Sequence, residues 1–189
     1  MRADEIVDFL NEVFLEFDTI VELLELEKIK TIGDAYFMAG GLDPRISDHA
    51  MRVIEAGIMF YKALEEHNAR HPDRNILQMR LGIHTGPAVA GVIGTKKVAY
   101  DLWGESVEIA NAMESTGIPG RVHISEDTAK HVTGFYRLEN RGELPREKEH
   151  IPDTMPATFL ITGRLLPTPY QHIQRPRMVK QKLAGDAVK

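Results

Sequence analysis

Lys28-Ile29-Lys30-Thr31-Ile32-Gly33-Asp34-Ala35-Tyr36, positions 28–36, decides how this chain is read. Lys28 to Ile32 and Ala35 to Ala39 alternate like two strands, and Gly33-Asp34 between them suits a tight turn. Taken alone, the Gly-Asp pair is an ordinary hairpin turn, and Lys30 with Asp34 across the bend reads as a structural ion pair. Further along, Tyr100-Asp101-Leu102-Trp103-Gly104 places another aspartate in a largely apolar setting, where its carboxylate needs a hydrogen-bonding partner. Taken alone, Asp101 reads as the cap of the helix that follows.

Working outward, apolar residues from Ile6 to Leu24 recur at three- and four-residue steps, which predicts an amphipathic helix from Asp4 to about Leu26. A second helix, capped by Ser47 or Asp48, runs to about Asn68, with Met51, Ile54, Ile58, Met59, Tyr61 and Leu64 on its buried side. Residues 77–93 read as two strands broken at Gly86-Pro87. A third helix spans Gly104 to Ser115. After it come a strand at Arg121–Ile124, a short helix capped by Ser125, and strands near Phe135–Leu138 and Ala157–Thr162. Tight turns between neighbours predict an α/β sandwich whose sheet is at least partly antiparallel. The expected division is one domain over 1–164 and an irregular basic tail over 165–189.

Composition narrows the function classes. The 189 residues suit one domain, and 43% hydrophobic with 27% charged residues is the balance of a soluble globular protein. No run of eighteen apolar residues predicts a membrane span, and a cytoplasmic location or a cytosolic domain is expected. Zero cysteines exclude disulfides and thiol catalysis. The net charge of −5 argues against nucleic acid as a partner. The tail's Arg175, Arg177, Lys180, Lys182 and Lys189 read as a solvated end.

The stretches "KIKTIGDAYFMAGGL" (28–42) and "RLGIHTGPAVAGVIGTKKVAYDLWGESVEIANAMESTGIPGRVHIS" (80–125) resemble class III adenylate and guanylate cyclases. The resemblance runs over roughly residues 5–163. It implies a ferredoxin-like α/β sandwich that dimerises, as a homodimer or as a heterodimer with another cyclase domain, with nucleotide sites at the subunit interface. The implied reaction converts ATP to cyclic AMP and pyrophosphate with two Mg²⁺ or Mn²⁺ ions. By resemblance, Asp34 matches one of two metal-binding aspartates, and Lys30 and Asp101 match the adenine readers. Adenine offers an acceptor at N1 for the lysine and an amino donor at N6 for the aspartate. Guanylate cyclases usually carry Glu and Cys there. Leu102 and Val107 would line the base pocket.

The chain also departs from the family pattern. The opening strand, with an Asp-Ile-x-Gly-Phe-type segment and the other metal aspartate, has no counterpart, so the expected sheet lacks its first strand and exposes an edge. The helix positions that carry the ribose-orienting asparagine and the transition-state arginine hold Glu108 and Ala112. Losing one such group costs a factor of about 10²–10³ in rate. The phosphate-binding lysine has only Lys148, in Pro145-Arg146-Glu147-Lys148-Glu149-His150, as a weak counterpart. His49, His84 and His123 read as packing residues. Two functions stay open: an adenylate cyclase domain, weakly active or inactive alone, and a degenerate module that binds nucleotide or a partner domain and regulates.

Overall fold

The computed structural model describes residues 3–73, 76–96, 98–143 and 157–173. Helix α1 (Ala3–Leu23) buries Phe9, Val13, Phe17, Ile20 and Val21, the stripe its periodicity predicts. It stops where Glu25 takes a positive φ of 52°, and Arg52 donates to the carbonyl of Leu24 there, satisfying an otherwise orphaned acceptor. Strands β1 (Glu27–Ile32) and β2 (Ala35–Ala39) form an antiparallel hairpin. Gly33 turns it at φ 60°, a left-handed conformation that glycine adopts without Cβ strain.

Helix α2 (His49–Arg70) packs on α1, and Phe17 stacks on Phe60 with ring centroids 3.9 Å apart. Tyr36 of β2 meets both rings edge-on. This aromatic group ties the hairpin to the two helices.

The main sheet holds four strands in the order β3 (Leu81–Ile83), β6 (Val122–Ser125), β8 (Thr158–Arg164) and β7 (Tyr136–Gly142). Only β3 and β6 run parallel. Strand β3 is shorter than the stretch from residue 77 suggests, because Asn68 uses its side-chain amide to bond both the N–H and the C=O of Leu77. That backbone is therefore unavailable to a ladder. Helix α3 (Glu105–Ser115) rests directly on β3 at Gly82, where an added Cβ would lie 2.1 Å from the Glu114 nitrogen. The short helix α4 (Glu126–Val132) begins as expected, with Ser125 Oγ accepting from the Thr128 N–H.

Strands β4 (Val89–Ile93) and β5 (Ala99–Trp103) form a separate two-stranded ribbon. The sequence reading treats β5 as a lead-in to α3 with Asp101 as cap. In the structure Asp101 pairs in register with Gly91, and the helix starts at Gly104 without a side-chain cap. Among the described residues the β1–β2 hairpin and β3 belong to different sheets, so β2 and β3 each keep an unpaired edge. On the tail side of the expected boundary, residues 165–173 lie against the domain. The Leu165 N–H donates to the Phe135 carbonyl, the Thr168 hydroxyl donates to Glu55, and Tyr170 and Ile173 pack on the core. The basic positions from Arg175 onward fall outside the described residues.

Candidate functional site

Strand β1 carries an irregularity between Lys28 and Lys30, with Ile29 skipped in the pairing to β2. A bulge re-aims the side chains on either side of it. The two lysines accordingly serve different partners. Lys28 Nζ donates to Asp18 of α1 at 2.9 Å, and Lys30 Nζ donates to Asp101 Oδ2 of β5 at 2.5 Å. The structural pair considered between Lys30 and Asp34 gives way to one spanning β1 and β5, which pack side by side.

Asp101 is well held for an acceptor. Its Oδ2 takes the Lys30 ammonium and its Oδ1 takes the Leu102 N–H at 2.9 Å. The Lys30 hydrogen bond first, and the Leu102 N–H second, keep the carboxyl below the usual aspartate range. At neutral pH it is an acceptor only. Both side chains still reach solvent, at 39% exposed for Lys30 and 19% for Asp101. Lys30 has two further N–H donors to offer.

The other expected residues are placed as follows. Asp34 stands exposed in the β1–β2 turn. Leu102 is buried and Val107 half-buried. On α3, Glu108 is exposed while Ala112, four residues on, is buried at 3%. Lys148 lies outside the described residues. A recess of about 550 Å³ opens elsewhere, lined by His84, Thr85, Ser106, Asp127, Lys130 and His131 among others. None of Lys30, Asp34, Asp101, Leu102 or Val107 lines it.

The three histidines read as packing residues have structural neighbours. His123 is fully buried and its Nδ1 donates to the Met113 carbonyl at 2.8 Å. His84 Nδ1 bonds Ser125 Oγ at 2.8 Å. Burial lowers the pKa of both. His49 sits against Gly41, where a Cβ would lie 2.8 Å from its ring.

One charged group escaped the sequence reading. Glu55, in the apolar face of α2, is 1% exposed and accepts from Tyr136 Oη at 2.6 Å, Arg164 Nε at 2.9 Å and Thr168 Oγ1 at 3.0 Å. Every partner lies far along the chain, so no local spacing announces it.

Metal ligation is a separate question. Asp34 belongs to no cluster of three His, Asp or Glu side chains among the described residues. One carboxylate can share a Mg²⁺ or Mn²⁺ ion with phosphate oxygens and water. It does not make the two-metal site that the resemblance implies.

The model of the adenylate and guanylate cyclase catalytic domain matches residues 1–162. Adenylate cyclase type 9 of Gallus gallus is 34% identical over 171 residues, covering 89% of this chain and 13% of the relative. The membrane guanylyl cyclase of Dictyostelium discoideum is 42% identical over 142 residues, covering 75% of this chain and 9% of the relative. The chain thus spans roughly a tenth of the length of these curated relatives. Among solved structures, the guanylate cyclase domain of RhGC from Catenaria anguillulae in complex with GTP superposes with a TM-score of 0.77 at 26% identity, over 87% of each chain. One of these sequence relatives is an adenylate and the other a guanylyl cyclase, so the choice of base rests on individual residues.

Proposed function

We propose a function on one premise: the chain belongs to the adenylate and guanylate cyclase catalytic domain family. It is a class III nucleotide cyclase homology domain that recognises ATP through Lys30 and Asp101. The observation that carries this reading is their pairing across β1 and β5, 71 residues apart in sequence and still open to solvent.

The chemistry follows from the donors. Lys30 can turn an N–H toward adenine N1, and Asp101, held ionised, accepts from the N6 amino group. Guanine offers a carbonyl at the amino position and an N–H at N1, so the same pair would face an acceptor with a carboxylate and a donor with an ammonium. Leu102, the next residue of β5, is buried, and the family resemblance makes it a lining residue of the base pocket. Asp34 can contribute one carboxylate to a Mg²⁺ or Mn²⁺ ion carried on the triphosphate. Cyclisation needs more than this chain brings. Glu108 places an acid, and Ala112 no donor at all, where the family stabilises transition-state charge. The chain alone therefore binds nucleotide with little or no turnover.

A second domain would supply the missing groups. The β4–β5 ribbon exposes apolar side chains on both faces, Val89, Ile93 and Trp103 on one and Val92 and Tyr100 on the other, which suits contact with another cyclase domain, whether a second copy or a heterologous one. This supports the reading of the chain as one partner of a dimer.

Fluorescent-nucleotide binding and a cyclic AMP assay test the proposal together. ATP is expected to bind more tightly than GTP, with cyclic AMP formation at background. Lys30→Glu combined with Asp101→Cys should move the preference from ATP toward GTP. An unchanged preference would remove these residues as base readers. Turnover of the isolated chain in the ordinary enzymatic range, about 1–10³ s⁻¹, would refute the claim of low activity.

A further inference from the structure

Apart from the nucleotide site, the end of α2 gathers a set of metal-ligand side chains. His67 lies in the last turn of α2 and His71 is the residue that follows its end, with ring centroids 4.6 Å apart. Glu12 of α1 faces both. Its Oε2 lies 3.9 Å from His67 Nδ1 and 3.7 Å from His71 Nε2. One ligand atom from each residue falls within 4.8 Å of the other two.

His67 is the buried member of the cluster. Its side chain is 3% exposed, and its Nε2 is buried with no hydrogen-bond partner. Its Nδ1 stops short of hydrogen-bonding distance to Glu12. Nδ1 is the nitrogen nearer Glu12 and the one placed to ligate, so the grouping of the three side chains, rather than the unpartnered Nε2, marks the site. Phe9 packs edge-on to the ring at 5.2 Å, so the wall behind it is apolar.

We propose that Glu12, His67 and His71 form a binding site for a zinc-class divalent cation that fastens α1 to α2. Two imidazoles and one carboxylate are a zinc donor set with a fourth position left for water. The hard, oxygen-preferring Mg²⁺ is disfavoured by two nitrogen donors. Tetrahedral ligands about 2.0–2.1 Å from zinc stand about 3.3 Å from one another, so the spacings of 3.7 and 3.9 Å to Glu12 and of at most 4.8 Å within the cluster require the side chains to close in on the ion. Further features agree. The site lies at the carboxyl end of α2, where the helix dipole favours a cation. Arg70, the cation nearest in sequence, is turned to Glu16 at 2.5 Å. Glu12 and His71 keep partial exposure, at 40% and 31% of their side chains, which leaves an entry path.

The test uses the full chain, stripped with a chelator and titrated with Zn²⁺ against a chromophoric competitor. The expected result is one tight equivalent of zinc that excess Mg²⁺ does not displace, with a rise in the unfolding temperature. Glu12→Gln and His71→Ala alter partly exposed positions and should leave the fold intact. Each should weaken zinc at least about ten-fold, the lower bound for losing even an outer-shell partner, and should abolish the thermal shift. Asp34→Ala and His49→Ala should change neither readout. Absence of saturable zinc binding would overturn the proposal and leave a plain Glu-His-His cluster. So would a zinc affinity that Asp34→Ala lowers while Glu12→Gln and His71→Ala do not.

Discussion

Glu55 and Asp101 each hold a cation drawn from far along the chain, Arg164 and Lys30, yet their surroundings differ in kind. Glu55 is 1% exposed and also accepts from Tyr136 and Thr168, so its oxygens are occupied by fixed donors. Asp101 keeps 19% exposure, and its cation is 39% exposed with donors to spare. The same pairing of carboxylate and cation is therefore suited to two different jobs. A saturated, buried pair can only define how α2, β7 and β8 fit together. An unsaturated pair at the surface can exchange part of its bonding for a ligand.

The contrast is sharpest for stability. Glu55→Ala should destabilise the domain by about 3 kcal/mol, the low end for breaking a buried pair, because Arg164 retains some access to water. The Tyr136 hydroxyl would lose its acceptor in the core. Chemical denaturation measures this directly. A loss below about 1 kcal/mol would put Glu55 in the same class as Asp101 and collapse the distinction.

Acid titration asks the same question without mutation. Burial raises the Glu55 pKa, but hydrogen bonds from Arg164 and Tyr136 and the Arg164 charge more than offset it, leaving the carboxyl below its usual range. A carboxyl depressed in the folded state contributes stability that is fully present above its unfolded pKa of about 4.3 and is lost as pH falls through the folded value. Stability should therefore fall below about pH 4.3. Glu55→Gln should flatten that fall more than Asp101→Asn, although Asp101 is depressed too, because solvent screens the exposed pair. An equal effect of the two variants would contradict the ranking.

For ligand binding the order reverses. Asp101→Ala should weaken ATP by roughly 10–100-fold, equivalent to a lost charged hydrogen bond of about 1.5–3 kcal/mol, with the fold intact. A conservative change at Glu55 should leave the affinity of the folded fraction unaltered. Nucleotide titrations monitored beside circular dichroism separate the two. If Glu55→Gln weakens ATP as much as Asp101→Ala does, the buried network reaches the site and the division into two jobs fails.

Legibility in the sequence follows the same line between local and distant. Helices α1 and α2 were readable because Phe9, Val13, Phe17 and Ile20 on the first, and Met51, Ile54 and Leu64 on the second, recur at helical spacing. The β1–β2 hairpin was readable because Gly33 supplies its turn. Strand β5 was hidden, since Ala99–Trp103 borders a helix and, among the described residues, pairs with β4 alone. Lys30 and Asp101 were identified by family resemblance, and their contact comes from the packing of β1 beside β5. Glu55, and His67 with Glu12, could not be read at all. An acid or imidazole on a helix shows its role only when a residue dozens of positions away packs against it.

The smallest expected effect is also the most discriminating. Lys30→Ala removes the cation of the 2.5 Å pair, which by distance alone would suggest a strong contribution to the fold. Exposure argues otherwise. Water replaces a half-exposed ammonium readily, and Asp101 retains the Leu102 N–H. Surface ion pairs of this kind contribute roughly 0–1 kcal/mol. The variant should accordingly unfold within about 1 kcal/mol of the parent while losing its preference for ATP over GTP. Equilibrium denaturation and paired nucleotide titrations on one preparation decide it. A loss near 3 kcal/mol would show that the β1–β5 pair is a structural clamp like that of Glu55, and base reading would then have to come from elsewhere.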